Sequence, residues 1–311
     1  MRKQISTKQS EKTLAVKYAT SESQQALLSL VQRTFRSVFA DPDTLLSTVQ
    51  TVKSHLFARD YSTAFGTPEY LLAYIVRWSA ARALGYYYIL GDVCRPHIDS
   101  LLRQDGKNVL CIGGGAGGEV LALAALVHQL GSSNIDILAV DIADWDSAFT
   151  KLSEGITRSY WPDSQSSSNL RFLQMDILDT SCFLENDPST AEQAIKSSGI
   201  DFGGLDLITI LFTTNELFAE SKPRALNLLN LFSTLCKPGA LLLFVESAGS
   251  YSNIKIGSKT FPIQFLLDHT LSTSWKTLIS DDSSWFRLDE SLHYPLPLEN
   301  MRFFIRLYEK T

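Results

Sequence analysis

Cysteine is scarce in this chain of 311 residues. The four cysteines, Cys94, Cys111, Cys182 and Cys236, lie far apart, form no C-x-x-C pair, and are not preceded by an N-terminal apolar segment of the secretory kind. That pattern speaks against a disulfide scaffold, and reduced thiols in an intracellular compartment are expected. The five histidines, His55, His97, His128, His269 and His293, show no ligand spacing with one another or with a cysteine, so no metal is expected. No apolar run approaches the roughly 18 to 20 residues that span a bilayer, so no membrane partner is expected. A hydrophobic content of 45% with mean hydropathy near zero is ordinary globular composition. Hydrolase chemistry lacks support as well, because Ser247, Ser250 and Ser252 sit in no G-x-S-x-G elbow.

Charge of one sign is also missing, since the net charge is only −5. Its distribution is uneven. Residues 1–107 hold 14 Lys and Arg against 9 Asp and Glu, leaving 14 basic and 24 acidic residues for the remainder. An acidic C-terminal part disfavours a surface that tracks nucleic acid throughout, whereas a basic N-terminal arm could contact phosphates; a solvated imbalance without a partner is the plain alternative. Residues 1–20 are polar with mixed charge and read as a disordered basic tail. The length suits one catalytic domain with an appendage.

What is present is concentrated in one run, N-V-L-C-I-G-G-G-A-G-G-E-V-L-A-L-A from Asn108 to Ala124. It reads as a short apolar strand, a glycine loop and an apolar helix. Such a loop lets the backbone turn tightly and approach a ligand where a Cβ would collide. Gly113, Gly115 and Gly118 satisfy the dinucleotide pattern G-x-G-x-x-G. Gly113, Gly115 and Gly117 satisfy the G-x-G-x-G of enzymes that use S-adenosylmethionine (SAM), and the loop alone leaves both open. The next apolar strand, 135–141, ends in Asp141, where a carboxylate can accept hydrogen bonds from both ribose hydroxyls. A third strand, 170–175, ends in Asp176-Ile177. A second acid at a neighbouring strand end suits the exocyclic amine of adenine and favours SAM over NAD, although Asp176 could equally be a helix N-cap or turn residue.

Ahead of this run, Ala26, Leu27, Leu30, Val31, Thr34, Phe35 and Val38 recur at helical spacing. Asp41-Pro42-Asp43 breaks that helix before Leu45, Leu46, Val49, Val52 and Leu56 resume the period. Pro68 opens a third helix running through 70–78 toward 90, whose aromatic cluster reads mostly as core. Behind the loop, helix 118–130, strand 135–141, helix 145–154, strand 170–175, strand 205–212, helix 222–236 and strand 241–246 follow one another. The alternation specifies an α/β fold with a doubly wound parallel sheet. Ser164 to Asn169 reads as a polar loop, and 180–203 as an irregular insertion without a catalytic role. The chain thus divides into the tail 1–20, a helical N-terminal region 21–106 and a ligand-binding domain 107–311.

The glycine loop, Asp141, Asp176, K-P-G-A-L-L-L-F-V-E-S (Lys237 to Ser247) and Y-P-L-P-L-E-N-M-R-F-F-I-R-L-Y (Tyr294 to Tyr308) together resemble class I SAM-dependent methyltransferases. More narrowly, Y-I-V-R-W-S-A-A-R-A-L-G-Y (Tyr74 to Tyr86), F-P-I-Q-F-L-L-D-H-T-L (Phe261 to Leu271), D-D-S-S-W-F-R-L (Asp281 to Leu288) and Y-P-L-P-L-E-N-M-R resemble fungal 25S rRNA uridine-N3 methyltransferases. The resemblance implies a Rossmann-like methyltransferase sheet with an N-terminal helical extension, SAM as cofactor, and rRNA or a preribosomal particle as partner. It also implies work in the nucleus, the nucleolus or the cytoplasm. One departure is Cys111, where many class I enzymes carry an acid that bonds beneath the loop; Glu119 could partly substitute. The chain has no N/D-P-P-Y/F motif, which weakens exocyclic amines as acceptors. Its acidity and lack of an RNA-binding module would also suit a small-molecule O-methyltransferase. A noncatalytic SAM-fold interaction protein and an NAD-dependent oxidoreductase are the rivals from other classes.

Gly113, Gly115, Gly117, Asp141, Asp176, Ile177 and Thr213 are the expected cofactor-binding positions. Methyl transfer then needs an acceptor lone pair aligned with the methyl carbon. Uridine N3 carries a proton with a pKa of about 9 to 10, so a base, or surroundings that favour the anion, helps its attack. Thr213, Thr214, Asn215, Glu216 and Glu246 follow strands four and five at the open carboxyl edge. Glu216 is the expected base and Asn215 the partner of a uracil carbonyl, unless Glu216 merely supplies a favourable charge at a helix N-terminus. Arg77 and Arg82 could meet the SAM carboxylate or an RNA phosphate, or form surface ion pairs. The charge split yields a test: deleting residues 1–20 should leave SAM affinity intact and lower activity on rRNA or preribosomal particles more at low salt than at high. Equal activity at every salt concentration would make the arm a passive tail.

Overall fold

The computed structural model describes residues 17–132, 134–162, 168–179, 199–249, 253–256 and 259–311. Most of the tail 1–20, of the loop 164–169 and of the insertion 180–203 lies outside the described residues, as do Cys182, Ser250 and Ser252.

Helix starts fall where side chains can satisfy the first free amides. Thr20 caps α1 (Ser21–Thr34) by accepting from the Ser23 N–H at 3.2 Å. Asp41 caps α2 (Pro42–Phe57) by accepting from the Thr44 N–H at 3.1 Å. A single turn, α3 (Tyr61–Ala64), precedes α4 (Pro68–Tyr74), which opens on Thr67 and Pro68. The expected third helix is continuous but not uniform. Its backbone widens to i→i+5 turns at Ile75–Ser79 and Ile89–Val93, on either side of α5 (Ala80–Tyr88). α6 (Arg95–Leu102) leads into the sheet.

Five strands, β1 (Lys107–Ile112), β2 (Ile135–Asp141), β3 (Asn169–Gln174), β4 (Leu207–Leu211) and β5 (Leu241–Ser247), pair in parallel in the order β3-β2-β1-β4-β5. A small hairpin, β6 (Asn253–Ile256) with β7 (Lys259–Pro262), stands apart. The parallel winding ends at β5. There β8 (Trp275–Phe286) and β9 (Met301–Lys310) add antiparallel strands, with β9 seated between β5 and β8. Phe303, Phe304, Ile305, Leu307 and Tyr308 are all buried, as befits an interior strand covered on both faces, while the middle of β8 is exposed as an edge.

Alternation along β1 sends Val109 and Cys111 to one face and Leu110 and Ile112 to the other. The first face is covered by α7 (Gly118–Gln129), α8 (Asp146–Tyr160) and the N-terminal helices, whose Leu27, Leu28, Val31, Val76 and Leu84 share one core with β1 and β9. The second is covered by α10 (Lys222–Leu235) and α11 (Ile263–Leu271), with the short α9 (Thr214–Glu220) before them. Among the described residues no helix is long and apolar enough to cross a membrane. Strand order reverses between β1 and β4, and the crevice outside their carboxyl ends is where an open α/β sheet receives ligands.

Candidate active site

The glycine loop sits in that crevice under tight steric limits. The Gly113 and Gly114 N–H groups both donate to the Val140 carbonyl, at 2.8 and 3.3 Å, pressing the loop onto the end of β2. A Cβ at Gly113, whose φ is +73°, would lie 2.1 Å from Thr213 Oγ1. One at Gly115 would lie 2.1 Å from Trp145 Cδ1 and 2.7 Å from the Asp141 Cβ. Side chains are therefore excluded where the loop passes between the ends of β2 and β4. Asp141 Oδ2 accepts from the Gly115 N–H and Oδ1 from the Ala143 N–H, both at 3.1 Å. The Trp145 side chain and the Ile142 N–H act on the same carboxylate. Burial raises the Asp141 pKa above its ordinary value, against the pull of those amides.

Beneath the loop, Glu119 in the first turn of α7 reaches across to β4. Its Oε1 accepts from the Leu211 N–H at 3.2 Å and its Oε2 from Thr209 Oγ1 at 2.8 Å. Burial pushes its pKa to about 7. Cys111 lies beside it, its thiol held well above the usual range by burial and by the Glu119 charge. An acid at position 111 would set two buried carboxylates side by side. The departure at Cys111 and the bridging role of Glu119 are thus one arrangement.

The acceptor edge begins with a sharp bend. Phe212 takes a left-handed φ of +57° after β4 while its N–H donates to the Val245 carbonyl at 2.7 Å. The following turn exposes Thr213 to the loop and starts α9. The Asn215 N–H donates to Glu246 Oε2 at 3.2 Å, and the Ser247 N–H donates to Glu246 Oε1 at 2.8 Å. Burial first, and then the nearby Glu216 charge, push the Glu246 pKa to about 7. Glu216 is itself raised by burial, with Arg82 and Arg59 acting in the opposite sense, and its Oε1 accepts from the Tyr61 hydroxyl at 3.4 Å. The Arg82 guanidinium lies 3.5 Å over the Phe212 ring, close enough to ease both carboxylates.

Several polar atoms at this edge are buried without a protein partner: Ser79 Oγ, Arg82 Nη1, Thr214 Oγ1 and Glu216 Oε2. They come from the two segments that flank the loop, for the Ser79 carbonyl and Arg82 Cβ both approach Gly118. Unpaired buried donors and acceptors around a steric cradle suit a polar ligand such as SAM and its acceptor. Arg77 instead pairs with Glu299. Among the described residues no group of three or more His, Cys, Asp or Glu is placed to hold a metal ion.

Gly113, Gly115, Gly117, Asp141, Thr213, Asn215 and Glu216 thus converge, and Glu246 joins them. Asp176 and Ile177 are differently engaged. Asp176 Oδ1 accepts from the Leu178 N–H at 2.9 Å and Oδ2 from Arg224 Nη2 at 2.6 Å, so its carboxylate closes a turn and ties β3 to α10. The Ile177 side chain is buried in the core of the second face. Sequence reasoning missed the roof: Tyr74 and Tyr86 reach the site from the helix whose aromatic cluster reads mostly as core, and Tyr61 reaches it from the single turn α3, which carries no periodicity to read. Tyr74 packs against Trp145, and the Tyr86 ring approaches Gly118.

Two outcomes follow from this geometry. Asp141→Ala should weaken SAM binding by roughly 1 to 3 kcal/mol, measured by calorimetry; unchanged affinity in a folded variant removes Asp141 from the site. The Glu119 carboxyl is raised from 4.5 to about 7 on folding. Its stabilising contribution is therefore complete below the unfolded value and lost as pH rises through about 7. Glu119→Gln keeps an acceptor for Leu211 and has no proton to lose. Relative to wild type, its stability in denaturant titrations should improve between pH 5 and pH 8 by on the order of 1 to 3 kcal/mol. A pH-independent gap would mean that Glu119 titrates normally.

Comparison with known proteins accords with these features. Residues 31–309 match a family model described as "Putative SAM-dependent methyltransferase". The 25S rRNA (uridine(2843)-N(3))-methyltransferase of Saccharomyces cerevisiae is 40% identical over 302 residues, covering 86% of this chain and 78% of its own length. Similar solved structures include a SAM-dependent methyltransferase from Methanosarcina mazei, with TM-score 0.44, 13% identity, and 70% of this chain and 97% of that one covered. TehB from Haemophilus influenzae gives TM-score 0.41 and 17% identity over 70% of this chain, which spans 62% of TehB. With the match running from α1 to the last strand, through the glycine loop and both strand ends that face it, the chain belongs to the SAM-dependent methyltransferase family.

Proposed function

We propose that this chain transfers the methyl group of SAM to N3 of a uridine in large-subunit (25S) rRNA, free or within a preribosomal particle, in the nucleus, the nucleolus or the cytoplasm. The observation that carries the reading is the 40% identity, over most of both chains, to a yeast protein named for that reaction. When bound, SAM supplies an electrophilic methyl group on a sulfonium. The backbone of Gly113, Gly115 and Gly117 and the Asp141 carboxylate would hold its adenosine end. Asp176, tied to Arg224, and Ile177, buried in the core, would border its adenine rather than grip it, and Thr213 would close the loop from the β4 side.

The carboxyl edge supplies what the uridine imide needs. N3 must lose its proton, and a carboxylate with an ordinary pKa is a poor match for a group near 9 to 10. Burial narrows that gap for Glu216 and Glu246 alike. Both oxygens of Glu246 are held by backbone amides, whereas Glu216 Oε2 is buried and unpartnered. Glu216 is accordingly the group that takes the proton. Glu246, whose own carboxyl is raised by burial and then by the Glu216 charge, fixes Asn215 for a uracil carbonyl. Arg82 offsets the negative charge that develops on the acceptor.

Mass spectrometry of rRNA nucleosides from a deletion strain tests the reaction: 3-methyluridine should disappear and return with the wild-type chain. In the purified enzyme, Glu216→Gln should keep SAM affinity within a few-fold and cut turnover by about 10²-fold to 10⁴-fold. Because the Glu216 pKa is raised, the wild-type rate should climb with pH through that raised value as the base form appears. The variant should lack this limb and recover only toward the pKa of free uridine. If Glu216 serves only the helix N-terminus, the change costs about 0.3 to 1 kcal/mol of stability and leaves turnover normal from pH 6 to pH 9, moving the base assignment to Glu246 or to positioning alone.

A further inference from the structure

The turn between α2 and α3 presents an unusual set of side chains. Phe57 is 92% exposed, more than any other large hydrophobic residue among those described. Lys53 lies one helical turn before it on the same face, also exposed. Arg59 follows with φ +57°. The backbone there is a Schellman motif, in which the Arg59 N–H donates to the Leu56 carbonyl at 3.1 Å and the Asp60 N–H to the His55 carbonyl at 2.9 Å. Glycine is the residue this left-handed position favours; this chain places a long cation there instead. Asp60, the acid of the turn, is engaged by the Ser62 hydroxyl, the Thr63 N–H and His55, so the cations are not neutralised from within.

The turn is joined to the catalytic edge. The Tyr61 hydroxyl reaches Glu216, and the Arg59 charge acts on the same carboxylate. The Tyr61 ring stacks on Phe65 with a 12° interplanar angle, and Phe65 in turn meets Tyr74 and Trp145, each at 5.2 Å between centroids. An aromatic series therefore runs from the glycine loop outward to the surface. It ends at Tyr61, two residues past Arg59 and four past the exposed Phe57.

We propose that Lys53, Phe57, Arg59 and Tyr61 form the docking rim for the unpaired RNA nucleotides next to the target base: a neighbouring base stacks on Phe57, and Lys53 and Arg59 hold its phosphates. This rests on the rRNA reading above. Unpaired bases stack on exposed aromatic rings irrespective of sequence, and flanking cations follow the backbone. A strained arginine is accounted for by a ligand that needs its charge at that point.

The test uses the full chain, SAM and 25S rRNA transcribed in vitro, with the variants Phe57→Ala and Arg59→Gly. Arg59→Gly relieves the left-handed backbone, so its melting temperature should not fall; a purely structural Arg59 would show nothing else. Each variant should lower RNA affinity roughly 10-fold while SAM affinity stays unchanged. Arg59→Gly should also reduce the slope of log affinity against log salt by about 0.7, the value for one lost phosphate contact on a single strand. RNA affinity and salt slope that match wild type in both variants, or no RNA binding by wild type, overturn the proposal. So does a wild-type dimer that Phe57→Ala converts to monomer without loss of RNA affinity, which would make the rim an interface between copies. 3-Methyluridine is read in the same reactions. Its formation with unaltered affinity in the variants removes the rim and keeps the reaction; RNA affinity lost in the variants without any 3-methyluridine from wild type does the reverse.

Discussion

Glu119 is a buried carboxylate that fastens the start of α7 to β4, and the two halves of the site meet through it. Its partners are the backbone of Leu211 and the hydroxyl of Thr209, both on β4, while Glu119 itself follows the glycine loop by one residue. The cofactor side and the acceptor side are thereby held in one register from below, and a shift of α7 would strand a buried acid without its donors. Neutral Cys111 is the neighbour this arrangement tolerates. From above, Thr213 lies against Gly113 so closely that no side chain fits between them. The two elements are clamped at both ends of a short span.

The clamp fixes where charge accumulates. Phe212 bends the chain through a left-handed conformation, which carries Thr213 to Glu216 over the loop rather than along the strand direction. Such strain persists only where the surroundings over-determine it. Here the Val245 carbonyl, the Arg82 guanidinium and the Tyr86 ring all hold Phe212 in place. Two raised carboxylates and one guanidinium then share a partly dry edge. Methylation at an imide nitrogen asks for a proton acceptor and a cation near one ring; exocyclic amine acceptors do not demand that pairing.

The sheet and loop were legible in the sequence because each strand is a short apolar run closed by glycine, an acid or a K-P-G turn, signals that local chemistry sets. Strand 135–141 was placed to the residue, and Asp141 with it, since a carboxylate at a strand end has little choice of position. Asp176 was ambiguous for a physical reason. Its two possible partners, a ligand and Arg224, differ only in tertiary contact, and Arg224 lies 48 residues away in sequence. The antiparallel β8 and the short α3 and α6 carry little periodicity, β8 being an exposed edge and the helices only one or two turns long. The widened turns at 75–79 and 89–93 leave the apolar pattern intact and so give no sign of themselves, yet they alter which side chains of that helix face the loop.

That last point explains why the N-terminal helices matter to chemistry as well as to packing. An aromatic cluster at helical spacing buries area in any protein, and most of this one does so against β1 and α7. A uniform 3.6-residue helix would rotate successive residues by about 100°; an extra residue in the turn before α5 advances everything after it around the axis. Ser79 closes the first widened turn and Arg82 follows it, and both come to lie at Gly118, beneath which Glu119 begins its bridge. Arg82 can then cover Phe212 from the helix side while Tyr86, one turn on, approaches the same ring. The basic third of the chain thus delivers its cations to the open edge of an acidic domain, at the place where an anionic acceptor would have to enter.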